Sequence, residues 1–157
     1  MGKKLAIAVF LLVLGVMSSY FVSTDKYMVI YDHTIDGDTI CLIENGIKQN
    51  YRLLYVDTPE YTKEIEPFGK EAKELTQSLL ENASSIKVEY QMDNETEDKY
   101  QRKLVWVFVD GKLLQEELAK AGLVEDVYDN GGNYKYKIRI LKAILESKIE
   151  KKGLYAK

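Results

Sequence analysis

Asn45-Gly46 sits between two β-branched, alternating runs, 39–43 and 49–56. That dipeptide suits a two-residue hairpin, because both central positions need positive φ. A third run, 27–31, is also β-branched and aromatic and precedes the pair closely. Parallel neighbours need a crossover of a dozen or more residues. The gaps between these three runs are too short for one, so the chain must begin as antiparallel strands. Pro59 ends the third strand, since it brings no donor to the ladder.

Helical spacing starts only after Pro59. Ala72, Leu75, Leu79, Leu80 and Ala83 share one face over 68–83. A fourth strand follows at 85–90, then a polar loop at 91–103, then a fifth strand at 104–109 closed by Asp110-Gly111. A short helix at 114–121 is capped by Gly122. After a loop at 129–133, a last helix is expected over 134–152. Ile138, Leu141, Leu145 and Ile149 are expected to face inward and Gly153 to close it. Five short strands with about three late helices predict an α+β domain built on a five-stranded Greek-key barrel of the OB type.

The chain has 157 residues, 46% hydrophobic and 30% charged, which suits one globular domain and excludes disorder. Met1-Gly2-Lys3-Lys4 is followed by an apolar run from Leu5 to Met17, and no charge appears before Asp25. Residues 1–23 therefore read as a signal peptide or a membrane anchor, and 24–157 as the domain. Positive charge ahead of the apolar run places the domain outside the cytoplasm, secreted or held at the membrane. The chain carries 22 basic and 25 acidic residues, and two of the basic ones are Lys3 and Lys4. The domain is thus net acidic, which weighs against tight binding of a polyanion by charge alone.

Several site chemistries lack their residues. The one cysteine, Cys41, excludes an internal disulfide and reads as a small buried hydrophobe. The one histidine, His33, reads as structural or solvated. So few Cys and His residues disfavour zinc and histidine-based hydrolases. No glycine-rich phosphate loop is present, and Asp36-Gly37-Asp38 lacks the length and terminal glutamate of an EF-hand. What remains is oxygen chemistry. Asp38, Asp57 and Glu60 are candidate ligands for a hard cation, Asp36-Gly37 reads as turn chemistry, and Arg52 suits a phosphate. Along an ideal strand Arg52 and Asp57 point to opposite faces, so the backbone must bend between them.

Asp36-Gly37-Asp38-Thr39 and Arg52-Leu53-Leu54-Tyr55-Val56-Asp57-Thr58-Pro59-Glu60 resemble the staphylococcal nuclease family, as does Asp98-Lys99-Tyr100-Gln101-Arg102. Gly69, Glu71, Ala72, Glu117-Leu118-Ala119 and Gly122-Leu123 extend the resemblance over about 26–155. It implies an OB-fold, calcium-dependent endonuclease of low base specificity that cuts DNA and RNA and leaves 3′-phosphate ends. It also implies that Asp38, Asp57 and the Thr58 carbonyl hold Ca2+. Arg52, Glu60 and Arg102 match the catalytic positions. Lys99, Tyr100 and Tyr128 match positions near the bound nucleotide. A monomer is expected, touching the membrane only through an uncleaved N-terminal segment. The alternative is an OB module that binds nucleic acid or a protein without turnover. Two departures bear on substrate affinity: Gln101 stands where the family usually has glycine, and Glu125-Asp126 and the 61–67 loop are acidic.

Overall fold

The computed structural model describes residues 26–62, 65–91 and 96–156. The leader expected at 1–23 lies outside them. Among the described residues no helix is long and apolar enough to cross a membrane.

Among the described residues, nine strands and three α-helices follow in the order β1 (Lys26–Met28), β2 (Ile30–Thr34), β3 (Thr39–Glu44), β4 (Ile47–Leu53), β5 (Val56–Asp57), α1 (Gly69–Glu81), β6 (Ile86–Tyr90), β7 (Lys103–Val109), β8 (Lys112–Leu113), α2 (Leu114–Lys120), β9 (Asp126–Val127) and α3 (Lys137–Ile149). A 3-10 turn, Gly153–Tyr155, ends the described chain.

The main sheet runs β1-β6-β7-β4-β3-β2. Only Val29 separates β1 from β2, yet β1 pairs with β6 and β2 with β3. The first expected strand is thus one bent strand whose halves close opposite edges of the sheet. This closure makes the barrel. The hairpin is as expected: Asn45 and Gly46 have φ of 51° and 80°, and Glu44 pairs with Ile47. The barrel interior holds Ile40, Leu42, Tyr51, Leu53, Val88, Val105 and Val107. Cys41 is buried as expected but does not belong to that core.

The third expected strand is two. β4 stops at Leu53, Tyr55 turns left-handed with φ of 72°, and β5 pairs elsewhere, with β9. This bend brings Arg52 and Asp57 to one side of the chain.

α1 anchors the Asp36–Asp38 turn. Thr76 Oγ1 donates to the Gly37 carbonyl at 2.6 Å. A Cβ at residue 37 would stand 2.5 Å from Thr58 Oγ1 and 2.8 Å from Ala72 Cβ. Gly37 is therefore required by close approach, not by turn geometry. α2 is fastened to β7 by fully buried Gln115, whose amide donates to the Val105 carbonyl and accepts from the Val107 N–H.

The last helix corrects the sequence expectation. It spans Lys137–Ile149 and buries Ile140, Ala143, Ile144 and Ser147. Ile138, Leu141, Leu145 and Ile149 lie exposed on the opposite side. Helical period supplied two apolar stripes, and size favoured the wrong one. α3 packs closely on α2, and small side chains at Ala143 and Ser147 permit that approach.

Candidate active site

The three sequence segments meet in one open cleft of about 750 Å³. Arg52 lies at its base, 8% exposed, at the end of β4. Its guanidinium donates to Asp57 Oδ1 at 2.5 Å and to the Val56 carbonyl at 3.3 Å, and it pairs with Asp38 Oδ1. One arginine thus spans both carboxylates.

Asp38 is 2% exposed and fully engaged. Its Oδ2 accepts from the Thr58 N–H at 2.9 Å and from Thr58 Oγ1 at 3.2 Å. Its Oδ1 also accepts from Thr39 Oγ1 at 3.0 Å. Thr39 Oγ1 in turn accepts from Arg102 Nη1 at 3.1 Å. This buried threonine links Asp38 to Arg102, a relation that sequence reasoning missed. Its only signal was its place in Asp36-Gly37-Asp38-Thr39.

Arg102 is presented by a tight turn in which Asp98 and Arg102 clamp each other. The Asp98 carboxylate accepts from the Arg102 N–H at 3.0 Å and from its Nε at 2.7 Å. Burial works to raise the Asp98 carboxyl, but the Arg102 N–H and guanidinium outweigh it and hold the carboxyl below its usual range. Gln101 has φ of 62° in this turn. The left-handed backbone explains why glycine suits the position; glutamine keeps the turn but bears the strain of a Cβ there.

Glu60, exposed and following buried Thr58 and Pro59 after β5, borders the same cleft. Gly69 lets α1 begin against it: a Cβ there would stand 2.3 Å from the Glu60 carbonyl. Partial burial, followed by a hydrogen bond and charge from Asp36, raises the Glu60 carboxyl above its usual range. Asp36 therefore does more than shape a turn. It is 5% exposed, and its carboxylate accepts from the Gly37 and Tyr61 N–H groups. Its spacing from Asp38 was the visible clue.

Lys99, Tyr100 and Tyr128 border the cleft and are exposed. Arg102 stacks 5.4 Å from the Tyr100 ring, and Arg52 lies 5.4 Å from that of Tyr128. Burial and the Asp57 charge raise the Tyr128 hydroxyl. Seven of the nine expected site residues line this cleft; Asp38 lies behind Arg52, and Thr58 is hydrogen-bonded to Asp38.

The charge is unbalanced. Asp36, Asp57, Glu60 and Asp98 line the cleft with only Arg52, Lys99 and Arg102 against them, and Asp38 adds a further carboxylate behind Arg52. The rim is more acidic still. Asp57 pairs in register with Asp126, and burial together with Glu66, Asp57 and Asp126 raises the Glu125 carboxyl. Asp38, Asp57 and the Thr58 carbonyl offer oxygen donors only, the type a hard divalent cation takes, and such an ion would replace Arg52 at Asp38 Oδ1 and Asp57 Oδ1.

Residues 50–157 match the family described as Staphylococcal nuclease homologue. The chain belongs to this family. It is 38% identical over 125 residues to a thermonuclease of Staphylococcus hyicus, covering 78% of this chain and 72% of the relative. It is also 38% identical over 129 residues to Endonuclease YncB of Bacillus subtilis (strain 168), covering 80% of this chain and 60% of that protein. A third relative, the SPbeta prophage-derived endonuclease YokF of the same organism, is 36% identical and is spanned over 43% of its length. The matched region of this staphylococcal nuclease homologue begins at Asn50, downstream of Asp36 and Asp38. Those two aspartates are tied to it by the hydrogen bonds to Tyr61 and Thr58.

Proposed function

We propose that this family member is a calcium-dependent endonuclease that hydrolyses phosphodiesters of DNA and RNA with little base specificity. The observation that carries the reading is Arg52 spanning Asp38 and Asp57 in a cleft that also holds Glu60 and Arg102.

Asp38, Asp57 and the Thr58 carbonyl would hold the ion, which when bound supplies positive charge beside the scissile phosphate. Arg52 and Arg102 donate hydrogen bonds to its non-bridging oxygens, where charge grows as water attacks. Their planar forks match two oxygens at once. Glu60 accepts the proton of the attacking water, and its raised basicity suits that task. Exposed Tyr100 and Tyr128 offer ring faces to bases, which tolerates any sequence. Lys99 adds a phosphate contact. The P–O bond to the 5′ oxygen breaks, Arg102 or water protonates that leaving oxygen, and 3′-phosphate ends remain. The basic start and apolar run of the leader support action outside the cytoplasm, by a monomer that is secreted or tethered at the membrane.

The test is cleavage of single-stranded DNA and RNA by the full chain. Degradation is expected with calcium and none with a chelator. Folded protein that binds either substrate yet leaves it intact with calcium would make it a non-catalytic OB module and overturn the reading.

A further inference from the structure

The single histidine and the single cysteine, each unremarkable in sequence, meet on the outside of the barrel. Register between β2 and β3 shifts between Tyr31 and His33: Tyr31 faces Leu42 and His33 faces Cys41, leaving Asp32 as the extra residue of a β-bulge. In a bulge, two residues of one strand oppose one of the other. Asp32 and His33, which would otherwise alternate faces, therefore both lie against Cys41. Ile40 and Leu42 point into the barrel core and Cys41 does not, so its sulfur faces this pair.

One donor atom each from Asp32, His33 and Cys41 lies within 4.8 Å of the others, the one such group of three among the described residues. We propose that Asp32, His33 and Cys41 form a second metal site, taking a borderline-soft divalent ion such as zinc with water in the fourth position. It is separate from the all-oxygen set of the cleft.

Tetrahedral zinc ligands at about 2.0–2.3 Å stand roughly 3.3–3.8 Å apart. Asp32 Oδ2 and His33 Nδ1, now 2.6 Å apart, need to separate by under about 1 Å, and the widest pair, at most 4.8 Å apart, needs to close by about 1 Å, both within reach of side-chain rotation on the bulge. Asp32 is at present shared between His33 Nδ1 at 2.6 Å and Lys48 Nζ at 2.5 Å. The Lys48 side chain is more than half exposed, so it can leave Asp32 for water at little cost. Burial, then the Asp32 charge, raises the Cys41 thiol, so the proton stays until a metal replaces it. The thiol gives that proton to solvent as the sulfur–metal bond forms. Imidazole and thiolate select zinc over calcium. Both strands lead directly into the Asp36–Asp38 turn, so an ion here would pin the hairpin that carries Asp38.

The experiment titrates cobalt, then zinc, into the full chain with calcium present to occupy hard oxygen sites. A thiolate-to-cobalt charge-transfer band is expected to saturate at one equivalent and vanish as zinc displaces cobalt. Cys41→Ser should abolish the band, and His33→Ala should weaken zinc binding at least tenfold, while Asp38→Asn leaves both unchanged. If Cys41→Ser fails to fold, zinc protection of wild-type Cys41 from alkylation, lost in His33→Ala, gives the same answer. No band and no protection, or zinc binding that follows Asp38 instead of Cys41, would overturn the site. None of these readouts is nuclease activity, so their failure leaves the reading of the cleft untouched.

Discussion

At the residue scale the cleft works through shared partners. Arg52 serves two carboxylates, Thr39 joins Asp38 to Arg102, and Asp98 orients Arg102. The identities of Arg52, Asp57 and Arg102 were legible as motif letters. Thr39 and Asp36 stand in the first motif too, but their roles were not legible, because those roles depend on which distant atoms arrive beside them. The Asp98 clamp also makes stability depend on pH. Its folded carboxyl lies below the usual value, so its contribution is complete above about pH 4 and is lost as pH falls through the lowered folded value. Asp98→Asn should cost about 1–3 kcal/mol at pH 7, the worth of hydrogen bonds to a charged group. The gap from wild type should close as pH falls below about 4. Urea unfolding at both pH values measures it.

At the element scale, local signals succeeded where one residue type dictates geometry. Asn45-Gly46 fixed the hairpin, and Gly122, with φ of 71°, ends α2 as expected. They failed where tertiary packing decides. Nothing local reveals that Tyr55 will turn left-handed to bring Asp57 round to Arg52, or that Val29 divides one strand between two sheet edges. α3 is the plainest case, since two apolar stripes compete and only contact with α2 selects one. Thermal or denaturant unfolding distinguishes them. Ile144→Ala, on the buried face, should cost about 2–4 kcal/mol. Leu145→Ala, 58% exposed, should stay within about 0.5 kcal/mol of wild type.

At the scale of the whole molecule, a closed barrel places three separate segments around one cleft while the surface stays net acidic. The acid–arginine set was visible in the sequence, and so was the excess of acid; their convergence at the rim was not. Asp126 opposite Asp57 is a like-charge pair beside the cleft, which repels substrate as well as straining the strand pair. Asp126→Asn should lower KM for DNA at low salt by a few-fold, with kcat little changed and a smaller gain at high salt as screening takes over. Such a split in steady-state kinetics separates attraction from chemistry. The central claim, that this cleft is a metal-assisted phosphodiesterase centre, is tested most directly by turnover of single-stranded DNA as calcium is titrated into wild type, Glu60→Gln and Arg102→Ala. Calcium-dependent cleavage by wild type, reduced about 100-fold or more in each folded variant, is predicted. Equal turnover in all three, or cleavage that persists with a chelator, would contradict it.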